Sequence, residues 1–395
     1  MNKSCLIGFL MCSAFSLVVQ AATDGAHITK TISQIERKKG IKRTIQYRPD
    51  GNDFVCVNGK NRYTRALYGG ITDFRIETSD RPVFAAYKPK DSKHICFRLQ
   101  CGNQSIALDS LKFCEARYRA GRRTYRLTDP LLGKGELNIS VLAFPDAEGG
   151  IWRFTMKDMP EGALLHCYIS EIRAKNLSRN GDMGADRADS FDAPQLPKEQ
   201  KHYKLSLDGT TAYIVVEDQE LRLPALVEGT SLYDKSEKWR SEIESSLQIS
   251  TPDPYFNPLG GALAAAADGI WDGKIWLHGA IGWRSQLNGW RAAYIGDFIG
   301  WHDRARTHFD SYAASQVTDV PATIPHPTQD TALHLARSVK KWGTPHYSNG
   351  YICRTPYRKD QMHHYDMNLC YIDELLWHFN WTGDLDYVRK MWLVL

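Results

Sequence analysis

Carboxylates set beside indoles, imidazoles and guanidinium groups mark the C-terminal third of this 395-residue sequence. Asp297 and Asp303 lie just before and at the start of an apolar period in which Trp301, Ala305, Phe309 and Tyr312 recur on one helix face. Asp366 opens a second helical pattern over 366–380, and Glu374 lies inside it. These four are the candidate catalytic groups, because paired carboxyls can divide general-acid and general-base work. Each aspartate can equally cap a helix, its side-chain oxygen accepting from backbone N–H groups. An exposed mid-helix glutamate is the commoner case for Glu374.

Nine of the eleven tryptophans and nine of the thirteen histidines follow residue 270, so aromatic faces are concentrated beside those carboxylates. Sugars present C–H faces that pack on indole rings, and their hydroxyls need donors and acceptors. Trp283, Trp290 and Trp301, interleaved with Arg284, Arg291 and His302, suit a sugar-lined cleft; they would also fill gaps between helices. Trp377, Trp381 and Trp392 read as core. Arg284, Arg291, Arg354 and Arg358 could grip a carboxylate through bidentate hydrogen bonds, which would suit a uronic acid. His363, His364 and Tyr365, next to Asp366, complete the candidate substrate-binding set and admit a second chemistry, a Tyr or His base taking the proton next to a uronate carboxylate. Adjacent helical residues point about 100° apart, so His363 and His364 would need a loop to chelate a metal. No Cys or His spacing matches a zinc site, and no metal is expected. Phosphate-cradling and dinucleotide glycine patterns, and a Gly-x-Ser-x-Gly elbow, are missing from any strand-to-helix setting, so no cofactor is expected.

The elements that must position these groups change character along the chain. Residues from about 40 to 245 read as short strands with a turn every ten or so residues, the pattern of a β-sandwich. Asn58-Gly59, Ala120-Gly121 and Asp208-Gly209 sit at the turns. Residues 176–199 read as a long loop. Residues 246–260, with Pro252, Pro254, Pro258 and Gly260-Gly261, form a linker. Helical periods follow: an alanine-rich helix over 263–268, the 301–317 pattern, a stripe of Ala332, Ala336 and Val339 capped near Thr328 or Asp330, a stripe of Leu369, Ile372, Leu376 and Phe379, and a last helix with Leu385, Val388 and Trp392 on one face.

Composition narrows the classes. A 43% hydrophobic share and a mean hydropathy of −0.43 suit folded domains rather than disorder. The formal charge of +5 is small and mixed along the chain, which argues against nucleic acid as a partner. Lys3, the apolar run Cys5 to Val19 and Val19-Gln20-Ala21 form an export signal over residues 1–21, with cleavage after Ala21 and a periplasmic or secreted product. No stretch is long enough for a stable membrane span. Seven cysteines remain beyond the signal, mostly in apolar strand patterns, and read as small buried hydrophobes; a Cys101–Cys114 disulfide is allowed.

Two groups of motifs carry a family resemblance. The first is Gly282-Trp283-Arg284, Gly289-Trp290-Arg291, Tyr294-Ile295-Gly296-Asp297 and Gly300-Trp301-His302-Asp303-Arg304-Ala305-Arg306; the second is His363-His364-Tyr365-Asp366-Met367-Asn368-Leu369 and Trp381-Thr382-Gly383-Asp384-Leu385-Asp386-Tyr387-Val388. Together they resemble the six-hairpin glycosidase superfamily, of α-L-rhamnosidase-like type, and within it exported Bacteroides-type proteins of unassigned activity. The resemblance implies a multidomain chain, β then α: a β-sandwich over 22–245 and the first hairpins of an (α/α)6 toroid over 261–395. It implies an oligo- or polysaccharide as partner, and hydrolysis by two carboxyls about 5–5.5 Å apart for retention or 6.5–9.5 Å for inversion. A toroid needs about twelve helices, and fewer fit after Gly260, so a C-terminally truncated catalytic domain is expected. Non-catalytic carbohydrate binding and a uronate-directed lyase are the alternatives.

Overall fold

The computed structural model describes residues 46–88, 92–171, 201–279, 284–288, 292–318, 328–330, 335–337, 350–356 and 365–395. The chain divides into two compact units: the described residues 46–69, 74–171 and 201–265 form the first, and 70–73 with those from 266 onward form the second.

In the first unit the strands run in chain order as β1 (Arg48–Asp50), β2 (Asp53–Val57), β3 (Tyr63–Tyr68), β4 (Arg75–Ser79), β5 (Phe84–Tyr87), β6 (Lys93–Cys101), β7 (Gln104–Ala107), β8 (Phe113–Arg119), β9 (Arg122–Thr128), β10 (Glu136–Ala143), β11 (Gly149–Lys157), β12 (Leu164–Glu171), β13 (Lys201–Ser206), β14 (Thr211–Glu217) and β15 (Glu220–Arg222). They make two antiparallel sheets. One has the order β1-β2-β8-β9-β10-β11-β14-β15; the other runs β13-β12-β6-β5-β4-β3, with β7 beside β6. Period-two alternation explains the packing. Cys114, Ala116 and Tyr118 of β8 face inward while Glu115 and Arg117 face outward. Phe84 of one sheet meets Tyr125 and Trp152 of the other edge to face, with centroids 5.6 Å apart, so the sandwich core is an interlocked aromatic layer.

Ala120-Gly121 is the predicted two-residue hairpin, with φ of 36° and 90°. The other two turn signals correct the sequence reading. After Asn58-Gly59 the chain leaves the first sheet for β3 in the second, and Asp208-Gly209 joins β13 to β14 in opposite sheets. Asn58 bonds to Cys114 through both its backbone N–H and its side-chain oxygen, and a Cβ on Gly59 would lie 2.4 Å from the Asp80 carboxyl carbon. Close approach, not hairpin geometry, requires that glycine. Cys101 and Cys114 are free thiols, not a disulfide.

A second correction is a helix, α1 (Leu226–Ser245), in a region read as strands alone. Its buried stripe is Gly229, Tyr233, Ser236, Arg240 and Ile243, spaced four, three, four and three. Only two of these five are bulky apolar residues, so hydrophobic periodicity gave little sign of it. Helix α2 (Leu259–Gly269) follows, and the division between the units falls inside it.

In the second unit come α3 (Ala292–Phe298), α4 (His302–Ala313), α5 (Tyr365–Thr382) and α6 (Leu385–Met391). The core joins Trp276, Ala305, Phe309, Tyr312, Tyr371, Leu375, Tyr387 and Met391. Ala305, Phe309 and Tyr312 of the 301–312 stripe are buried as their spacing predicts, and Trp301 packs partly buried against them. The stripe on α5 is not the leucine one: Leu369 is 70% and Leu376 45% exposed, while Met367, Tyr371, Glu374, Leu375 and His378 turn inward. Trp377, Trp381 and Trp392 are likewise half exposed or more, not core. Residues 328–330 and 335–337 pair as antiparallel strands β16 and β17, where the alanine spacing predicts a helix. No helix among the described residues is long and apolar enough to cross a membrane.

Candidate functional site

Helix α3 ends in a tight glycine cap. Gly300, at φ 83°, donates its N–H to Asp297, and Trp301 donates to Gly296 at 2.7 Å. This pattern of nested bonds closes a helix C-terminus and turns the chain straight into α4. Gly296 also lets α3 pack down on Trp276, since a Cβ there would sit 2.2 Å from the indole. The result is that Asp297, at the carbonyl end of α3, is 3% exposed. A carboxylate is disfavoured at that end of a helix and in a dry environment unless N–H groups meet it.

Two imidazoles do so. Nδ1 of His302, the first residue of α4, donates to Asp297 Oδ1 at 2.9 Å, and Nδ1 of His378 on α5 donates to the same oxygen at 2.8 Å. His378 is fully buried, ringed by Phe309, Phe379 and Tyr387, and its Nε2 has no hydrogen-bond partner among the described residues. His302 is 36% exposed at its side chain and gives the carboxylate a path to solvent. Phe298, next to Asp297, and Trp381, one turn beyond His378, are more than half exposed and meet edge to face at 6.3 Å. Glu374, one turn before His378 on the same inward face of α5, is 1% exposed. Tyr294 of α3 bonds to the neighbouring Asp373, and burial together with that carboxylate raises its phenol above the ordinary value.

The donor atoms of Asp297, His302 and His378 lie within 4.8 Å of one another, close enough for one divalent ion. The contacts fit hydrogen bonding better. Both imidazoles reach one oxygen at N–H···O distances, and a metal-bound His378 would leave its buried Nε2–H without the acceptor that such ligands usually have.

The remaining sequence candidates separate. Asp303 is exposed, and its ion pair with Arg306 at 2.7 Å holds its carboxyl below the usual range; Arg306 also reaches Asp384, the N-cap of α6, at 3.0 Å. Asp366 lies exposed in the first turn of α5. Arg284 is committed to Asp73 at 2.8 Å and to the Thr72 hydroxyl. The Trp301 ring is covered by the Arg304 guanidinium, 4.3 Å away, which pairs with buried Asp268 at 2.7 Å. Burial raises the Asp268 carboxyl despite that partner. Arg354 is half-buried, near enough to influence the Tyr312 phenol. Tyr365 is the first residue of α5. Trp290, Arg291, Arg358, His363 and His364 lie outside the described residues.

His378 and His308 were not singled out in the sequence. His308 accepts the Trp276 backbone N–H at Nδ1, and burial pushes its pKa down to about 3, so it is a neutral core residue. His378 had a signal: Tyr371, Glu374 and His378 fall at i, i+3 and i+7, one helix face.

Residues 89–216, from just before β6 into β14, match a family model described as a domain of unknown function, DUF4450. No curated protein matches the sequence. Among solved structures the chain is similar to a bacterial glucoamylase complexed with acarbose, at 9% identity and a TM-score of 0.37, over 67% of this chain and 55% of that one. The chain thus spans about half the length of that protein. Neither match assigns an activity.

Proposed function

We propose that this is an exported carbohydrate-active protein of the glycoside hydrolase type, whose helices are hairpins of an (α/α)6 toroid and whose reaction is carried by carboxyls of the second unit. The observation that carries the reading is Asp297: a buried carboxylate held by two imidazoles, with exposed aromatic rings beside it. Phe298 and Trp381, set edge to face, each leave apolar ring area exposed for packing against the C–H face of a pyranose. Glu374 lies one helical turn from the histidine that holds Asp297, on the same buried face of α5. In this assignment Asp297 is the fixed carboxylate, Glu374 the proton donor, and His302 and His378 keep Asp297 oriented. The leader-like residues 1–21 support an extracytoplasmic location.

Binding without turnover is the second reading. The burial of both carboxyls favours it, since neither Asp297 nor Glu374 faces open solvent.

The test is reducing-sugar release from a panel of neutral and acidic oligosaccharides. Asp297→Asn and Glu374→Gln are each expected to lower turnover by at least about 100-fold. Release of no product, together with sugar binding that both variants retain, overturns hydrolysis in favour of the second reading.

A further inference from the structure

We infer that the outer face of the β8–β11 sheet, beside α1, is a binding groove for an acidic saccharide, distinct from the Asp297 site. Its location follows from the register. Arg117 of β8 stands opposite Thr124 of β9, Thr124 opposite Ser140 of β10, and Ser140 opposite Arg153 of β11. This row crosses three interstrand gaps, about 14 Å, with an arginine at each end and two hydroxyls between. The next row adds Arg126 and Asn138. The faces are polar by strand alternation, yet they border a hollow of about 350 Å³ rather than a flat solvated surface.

The charges in this hollow are not all matched. Arg117 has Glu115, Asp50 and Asp53; Arg126 has Glu115 and Glu136; Arg122 has Glu237 of α1. Arg153 has no carboxylate partner among the described residues. Its guanidinium lies 3.9 Å over the Tyr233 ring, and its Nε is buried without a hydrogen-bond partner. Tyr233 is itself fixed, 2% exposed and bonded to Ser140 at 2.7 Å. A half-buried cation held in one plane by the ring, with its Nε–H unmet, is costly on its own and is oriented for a planar oxyanion at its open edge. Asn138 and Thr155, across the strands, supply the neutral donors and acceptors that sugar hydroxyls need. The groove alone specifies the anion, a carboxylate or sulfate; that it is carried on a sugar rests on the function proposed above.

Isothermal titration of the full chain at low salt tests this, with tri-galacturonate, a keratan sulfate tetrasaccharide, which carries sulfate but no uronate, and a neutral xylotriose. One or both acidic sugars are expected to bind, more weakly as salt rises, with xylotriose giving no heat. Which acidic sugar binds identifies carboxylate or sulfate as the anion. Arg153→Gln is expected to weaken binding at least about tenfold, or 1.4 kcal/mol, and Arg153→Lys by less. Asn138→Asp, which leaves Arg153 and its stack in place, is expected to weaken binding by repulsion and decides the matter if Arg153→Gln unfolds. Binding that is unchanged in Arg153→Gln or in Asn138→Asp, or equal for the neutral sugar, or missing for both acidic sugars, overturns the groove. Glu374→Gln separates the two sites: acidic sugars that still bind it after turnover has been lost, or where none was found, leave this inference standing without the hydrolase.

Discussion

Nδ1 of His378 and Oδ1 of Asp297 meet at 2.8 Å although 81 positions separate them in sequence, and this bond fastens the end of α3 to the C-terminal part of α5. The same oxygen holds His302, so three helices converge on one buried carboxylate.

Removing that charge is expected to affect stability as well as chemistry. Asp297→Asn keeps the shape but exchanges a charged acceptor for a neutral one and can turn an N–H toward the imidazoles. A loss of about 1–3 kcal/mol in urea unfolding is expected. Asp303→Asn is the control: its partner Arg306 retains Asp384, and neither the melting temperature nor turnover is expected to move. Equal melting temperatures for the two variants would show that Asp297 is no keystone.

Gly296→Ala tests how the backbone places Asp297. The added methyl would overlap the Trp276 indole, which is fully buried and bonded to Ala267 through Nε1, so it has nowhere to retreat. A destabilisation of about 1–3 kcal/mol is expected, with altered Trp fluorescence, measured by denaturant titration.

The pH dependence of stability carries the mark of His308. Burial holds it at about 3, against 6.5 for an ordinary histidine. Between those values the unfolded chain binds a proton that the native state does not, so the stability present above about 6.5 is lost as pH falls toward 3. The slope reaches at most about 1.4 kcal/mol per pH unit. His308→Gln, which can still accept the Trp276 N–H, is expected to remove one proton from this dependence; the check is urea unfolding across that window. An unchanged slope would mean that His308 is already charged in the native protein.

In the sandwich, Arg75 and Glu77 form an ion pair 1% and 8% exposed at their side chains, and the Arg75 guanidinium lies 3.8 Å over Tyr87. Glu77 keeps Arg75 firmly protonated although burial opposes it. Arg75→Met alone is expected to cost about 3–5 kcal/mol by stranding Glu77, while Arg75→Met with Glu77→Leu is expected to recover most of it. Chemical denaturation of the single and double variants measures the coupling.

The alternation in β8 to β11 and the Trp301–Tyr312 stripe were legible because each depends on neighbours within one element. So was the crowding of tryptophan and histidine after residue 270. The β16–β17 pair shows the limit: alanine spacing suits a helix, but strand pairing is settled by partners outside the segment. On α5 the leucines lost the core to Tyr371 and His378, because those two have fixed polar partners waiting, the Phe309 carbonyl and Asp297. Apolarity alone does not rank two faces of one helix.

By itself, then, the sequence determined a β-rich first part followed by helices, the positions of most strands, and Asp297 as a residue to watch. Only the tertiary structure decided that Asp303 and Asp366 stand in solvent, that His378 completes the Asp297 cluster, and that Arg153 meets no acid among the described residues. Helix and strand periods arise from bonds within a few residues. Burial and pairing of a charge depend on groups that the fold brings from tens of residues away, and chain order does not encode that distance.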